Sequence, residues 1–213
     1  MVEWYRAGDG MQEGIQLLAD FADQLLEMGA AERISYRQAF LTHAQIDPLT
    51  ASGAELADLA RRRGLACPSS LDVADCDAWL DLLLVECVQP HLGQGRPAIV
   101  YDYPPSQAAL ARVRNEDPPV AERFELFVRG VELANGYHEL LDPAVLRTRN
   151  SRANQLRRAD GKYTLPEDSR LLAAMQHGLP PSAGVALGFD RLVMLAAGAT
   201  DIAQVLAFPV ERA

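Results

Sequence analysis

The stretch that decides the fold is "FELFVRGVELANGYHEL", residues 124–140. Aromatic and β-branched residues crowd both halves and Arg129-Gly130 interrupts them, so the segment reads as a hairpin with strands over 122–128 and 131–136. Three glutamates, Glu125, Glu132 and Glu139, recur at intervals of seven residues. Glutamate is rarely buried unless a cation compensates it. Seven is an odd step, so one continuous strand cannot carry all three on one face. A turn between the first two removes the difficulty and lets Glu125 and Glu132 face each other on adjacent strands. Two facing carboxylates repel unless a cation lies between them. Magnesium suits such a pair, because it takes one or two carboxylates together with phosphate oxygens and water. Glu139, beyond Asn135 and Gly136, is placed to meet a cationic substrate instead. The plainer alternative is three exposed acids at strand ends, each paired with an arginine.

Downstream lies "SAGVALGFDRLVM", residues 182–194. Gly184 and Gly188 flank a run of small side chains, where a backbone can approach a flat ligand closely. Arg191 follows Gly188 by about one helical turn, and a permanently charged guanidinium near a helix start suits a nucleotide phosphate. The competing reading is an ordinary strand, turn and helix with Arg191 in a surface salt bridge.

Elsewhere the pattern alternates between sheet and helix. "MVEWYR" at residues 1–6 reads as a strand, and Met11, Ile15, Leu18, Ala22 and Leu25 recur at helical spacing up to Gly29. Residues 30–95 read as a helical insert: Ser52 and Glu55 have capping-box spacing, and a second helix within residues 73–92 ends before Pro90. A strand over 97–103, a helix from Asp142-Pro143, a helix over 166–178 and a last short strand near residues 202–210 complete the chain. Antiparallel strands with helices packed against them give an α+β fold.

The 213 residues are 49% hydrophobic and 23% charged, ordinary for a globular domain. No apolar run reaches the length of a membrane span, and no basic-then-apolar leader opens the sequence, so the expected compartment is the cytoplasm. The three cysteines and four histidines are scattered without zinc spacing. The net charge of −9 fits a small-molecule enzyme, or one whose macromolecular partner is basic, better than a phosphate-gripping RNA binder. Arg61–Arg63 read as the solvated C-terminal end of a helix.

Taken together, "FELFVRGVELANGYHEL" and "GLPPSAGVALGFDRLVMLAAGATDIAQVLAFP" resemble the C-terminal part of class II lysyl-tRNA synthetase catalytic domains. The second stretch is similar to motif 3 of those enzymes and "MVEWYR" to the closing strand of motif 2. Leu133-Ala134 and Ala186 are more similar to the free-standing paralogues that attach β-lysine to elongation factor P than to the tRNA-charging branch, as are "SYRQAF", "IDPL" and "PPSQAALA". The resemblance implies a class II aminoacyl-tRNA synthetase-like antiparallel sheet flanked by helices. It implies that ATP and Mg²⁺ are used, with Glu125 and Glu132 holding the metal. Glu125, Glu132, Leu133, Gly188 and Arg191 would form the ATP site, with Arg191 and Glu132 as catalytic groups. Tyr5, Asn135, Glu139 and Ala186 would receive lysine or β-lysine, and a lysine of elongation factor P, rather than tRNA, would be the acceptor.

Such catalytic domains begin roughly a hundred residues before the position of Met1. Residues 1–213 are therefore expected to be a partial catalytic domain lacking motif 1 and the first motif 2 strand, with a homodimer as the full-length form. Losing one phosphate contact made in the transition state costs about 10²–10³ in rate, so the chain alone is expected to be inactive, and ATP–pyrophosphate exchange would contradict this. A lysyl-tRNA synthetase fragment and a non-catalytic synthetase-like binding module are the competing readings.

Overall fold

The computed structural model describes residues 1–210. Seven strands form one sheet: β1 (Val2–Ala7), β2 (Glu32–Ser35), β3 (Ala98–Tyr103), β4 (Val113–Arg114), β5 (Val120–Val128), β6 (Val131–His138) and β7 (Ser182–Leu187). The order is β1-β7-β6-β5-β3-β2, with the short β4 paired on β5. Neighbours are antiparallel except β2 and β3, which run parallel. The sheet is therefore mixed rather than wholly antiparallel. The segment expected to be purely helical contributes β2 before any helix forms.

Seven α-helices surround it: α1 (Met11–Leu26), α2 (Tyr36–His43), α3 (Gly53–Arg62), α4 (Cys76–Leu83), α5 (Pro143–Ala159), α6 (Arg170–His177) and α7 (Phe189–Ala196). Their boundaries follow local chemistry. Asp142 caps α5 by accepting from Ala144 and Val145 N–H, with Pro143 in the first turn, where its missing N–H is not needed. Ser169, not Pro166, caps α6, which starts later than the sequence pattern suggested. At α3, Ser52 and Glu55 cap reciprocally. Ser52→Ala is expected to lower stability by about 1 kcal/mol without touching the sheet, read as a lower denaturant midpoint at unchanged slope. Among the described residues the expected final strand does not form; Ile202–Gln204 is a short 3₁₀ turn instead, and residues 211–213 of that stretch lie outside the described residues.

The sheet's two faces are used differently. On one face, α1 and α7 cover Phe124, Leu126 and Val128 of β5, Leu133 and Ala134 of β6, and Val185 and Leu187 of β7. Trp4 of β1 joins them, its ring 5.7 Å from that of Phe21. On the other face, α2, α3 and α4 pack over Ala98, Val100 and Tyr103 of β3 and Ala121 and Phe127 of β5. These helices stop there, so the same face of β6, β7 and β1 is left open. That half-covered face is the ground on which a site can be built. A third, small cluster joins Leu146 of α5 to Leu172 and Met175 of α6 at the end of the sheet.

Candidate active site

The β5–β6 hairpin sets the floor. Register pairs Arg123 with Tyr137, Glu125 with Asn135 and Phe127 with Glu132, and it shifts between Leu126 and Phe127. Glu125 thus stands opposite Asn135, not opposite Glu132 as the sequence suggested. The shift is a β-bulge: Leu133 and Ala134, adjacent in the chain, both enter the α1-side core. The extra residue restores parity, so Glu132 lies on the open face with Asn135, Tyr137, Arg123 and Glu125. Asn135 pairs with Ala186 and Tyr137 with Gly184 on β7, and Gly184 pairs with Tyr5 on β1. One continuous row therefore runs from Glu125 across Asn135 and Ala186, and a parallel one from Arg123 across Tyr137 and Gly184 to Tyr5.

At the covered end, Glu125 is 4% exposed. The Tyr103 hydroxyl donates to its Oε2 at 2.7 Å, and Arg123 Nη2 makes a short ion pair with its Oε1. The Arg123 guanidinium also lies 4.7 Å over the Tyr103 ring and donates to the Gln107 carbonyl at 2.8 Å. Burial, then the Glu125 charge, push the Glu132 carboxyl above its usual range, against Arg191 and Arg123. The two acids sense each other although they are not cross-strand partners.

Arg191 reaches back from α7. Its Nη1 donates to the Glu132 carbonyl at 2.8 Å and lies 3.9 Å from Glu132 Oε2. Gly188 begins α7 and donates its N–H to the Leu133 carbonyl at 2.8 Å. Leu133 differs from the other expected site residues: its side chain is 2% exposed within the core, so only its backbone borders the floor.

At the opposite end, Glu139 is half-buried, and among the described residues its carboxylate has no ion-pair partner. Burial pushes its pKa up to about 7. Arg112 Nε fixes its backbone carbonyl at 2.9 Å. Burial first, then the Glu139 charge, raise the Tyr5 hydroxyl pKa. A cavity of about 340 Å³ opens beside these two residues, lined otherwise mainly by Leu110, Leu140, Leu171 and Met175. Between the two ends, the Asn135 Nδ2 donates to the Tyr137 hydroxyl at 3.0 Å, while its Oδ1 is buried without a hydrogen-bond partner among the described residues.

The open face of the hairpin thus gathers Glu125, Glu132 and Glu139, the uncommitted Asn135 Oδ1, and the guanidinium groups of Arg123 and Arg191. Residues 13–212 match the family of class II tRNA synthetases described as D, K and N. The chain belongs to the class II tRNA synthetases. The chain is also 46% identical, over all 213 of its residues, to the elongation factor P–(R)-β-lysine ligase of Edwardsiella ictaluri, and equally to that of Klebsiella pneumoniae. The same named ligase from Hamiltonella defensa is 45% identical over the same span. The chain spans 65% of the length of each of these curated relatives.

Arg123, Tyr103 and Tyr137 are site residues that the sequence reading missed. Arg123 and Tyr137 carried a usable signal, since each lies two residues from a residue already singled out and so shares its face. Tyr103 had none, because only the β3–β5 pairing brings it to Glu125.

Proposed function

We propose that this chain, as part of a full-length form, activates a lysine-type amino acid with ATP and transfers it to a lysine of elongation factor P in the cytoplasm. The observation that carries the reading is the buried Asn135 Oδ1 without a partner, on the same face as the unpaired Glu139 carboxylate. An orphaned acceptor and an uncompensated anion on one face await a ligand with two ammonium groups. Tyr5 and Ala186 border the same face, and the names of the relatives supply the substrate class.

The nucleotide half is argued from charge. Glu125 and Glu132 lie on the same sheet face and the Glu125 charge raises the Glu132 carboxyl, so these are the residues that would hold a divalent cation. Among the described residues no cluster of three metal-ligating side chains exists, so a magnesium ion here would need its remaining ligands from phosphate and water. Bound there, Mg²⁺ would offset phosphate charge. Arg191 is held by Glu132 with its guanidinium half exposed, ready to receive a polyphosphate, and Gly188, the N-cap of α7 beside it, would lie against the adenosine.

In the first step the amino-acid carboxylate oxygen forms a bond to the α-phosphorus and pyrophosphate leaves. In the second, the amine of the acceptor lysine forms an amide bond to the acyl carbon, AMP leaves, and the amine gives up a proton. The protein's part is orientation and charge stabilisation.

The test is titration with (R)-β-lysine and α-lysine in the presence of ATP, followed by mass spectrometry of elongation factor P incubated with protein, ATP and the preferred amino acid. Saturable binding is expected from residues 1–213, and a mass gain on the factor from the full-length form, since the 213 residues alone are expected to be inactive. Binding of neither diamino acid overturns the reading, and acylation of tRNA instead of the factor would select a lysyl-tRNA synthetase.

The pKa of Glu139 gives a pH test. An ammonium ligand needs its carboxylate ionised, so affinity is expected to rise by up to about tenfold per pH unit below about 7 and to level off above it. Calorimetry below pH 7 in buffers of different ionisation enthalpy should show proton release on binding. For folding the sign is opposite. The native pKa lies above the ordinary 4.5, so the native state binds the extra proton and stability falls between about pH 4.5 and 7.

A further inference from the structure

The chain carries a net charge of −9, but α5 runs against it: Pro143–Ala159 holds five arginines and no acid. Arg149 is committed internally. It donates to the carbonyls of Ala109 at 2.6 Å and Ala111 at 2.9 Å, which clamps the helix to the segment after β3. Arg152 is exposed and has no hydrogen-bond or ion-pair partner among the described residues. Both arginines line one wall of a cleft of about 850 Å³. Leu156 of the same helix lines it too and is 62% exposed. The cleft is also lined by Asp72, Asp75 and Asp77, from residues 70–77. Their oxygens accept from the N–H of Ala74, the N–H of Ala78 and the Ser106 hydroxyl, but meet no cation among the described residues.

The cleft adjoins the candidate site. Leu110 lines both the cleft and the cavity beside Tyr5 and Glu139, and Ala111, held by Arg149, forms a bridge with Glu139. A phosphate backbone entering here would meet three aspartates as well as the free arginine, which disfavours nucleic acid. Charges of both signs beside an exposed leucine suit a protein surface, whose core contacts are apolar and whose rim is polar.

We propose that this cleft docks the acceptor protein, with an acceptor carboxylate on Arg152 and an apolar side chain on Leu156, so that a neighbouring lysine enters past Leu110. The assignment rests on the protein-acceptor reading above. Arg152 and Leu156 lie outside the floor and take no part in binding the amino acid or ATP.

The test is direct binding of unmodified elongation factor P to the chain, wild type against Arg152→Glu and Arg147→Glu. The second variant makes the same charge change on the same helix, but Arg147 does not line the cleft and pairs with Asp168 at 3.4 Å. Wild-type affinity is expected to fall as salt is raised. Arg152→Glu should weaken binding by about tenfold or more, and Arg147→Glu by less than about threefold. Affinity for α-lysine should be unchanged in both. No loss in Arg152→Glu, or an equal loss in the two variants, would overturn the inference while leaving the ligase reading in place. So would binding of tRNA that Arg152→Glu weakens while binding of the factor stays constant. A wild type that does not bind the factor would overturn the inference as well, and the lysine titration, read separately, decides whether the amino-acid reading falls with it.

Discussion

Gly184→Ala is expected to abolish amino-acid recognition while leaving the fold in place. A Cβ at residue 184 would stand 2.2 Å from Glu139 Oε1 and 2.6 Å from the Tyr5 ring. Neither distance is tolerable, and both neighbours are ends of side chains rather than backbone, so they would swing away. The sheet would survive, since glycine is a poor strand residue and alanine restores some propensity. The site would not. Glu139 and Tyr5 close one end of the floor, and a displacement of about 1 Å in a positioned group can reduce rate about 10²-fold. Amino-acid affinity should therefore fall by about two orders of magnitude, with ATP affinity and the thermal midpoint close to wild type. Retained affinity would mean that the substrate amine is bound elsewhere on the sheet.

Arg123→Met should do the reverse, striking stability before specificity. The Glu125 side chain is 5% exposed and that of Arg123 20%. Removing the guanidinium leaves Glu125 with only the Tyr103 hydroxyl, in the repulsive field of Glu132. Breaking a buried pair from one side typically costs about 3–5 kcal/mol, because the surviving charge is uncompensated. Urea unfolding should show that loss, and adding Glu125→Gln should recover a substantial part of it. If the double variant is no more stable than the single one, the ion pair is not what holds this end of the floor.

The hairpin was the most legible part of the sequence. Gly130 and the aromatic runs on either side of it placed β5 and β6 almost to the residue. Period-two reasoning with the turn then set Glu125 facing Glu132 and left Glu139 apart. It paired Glu125 with Glu132, whereas the bulge at Leu133 pairs Glu125 with Asn135. Bulges insert a single residue without a composition signal, so alternation cannot find them. The capping signals at Ser52 and Asp142 were readable because they are local hydrogen-bond chemistry. β2 was not readable: a four-residue strand of Glu, Arg, Ile and Ser has little pattern of its own and exists because β3 offers it an edge. Tyr103 belongs to the same class of silence, since its role depends on a partner far along the chain.

The parallel pairing of β2 with β3 limits what can be done to the helices between them. Ser35 ends beside Tyr101, while the chain must re-enter the sheet at Ala98, at the opposite end of the pair. A parallel connection needs about a dozen residues or more to travel back. Residues 36–97 are therefore not a detachable module that a hairpin turn might replace. A minimal version of this scaffold could thin the segment, but excising it would strand β2, bare the edge of β3 and strip the cover from Val100 and Phe127, dissolving the wall against which Glu125 is set.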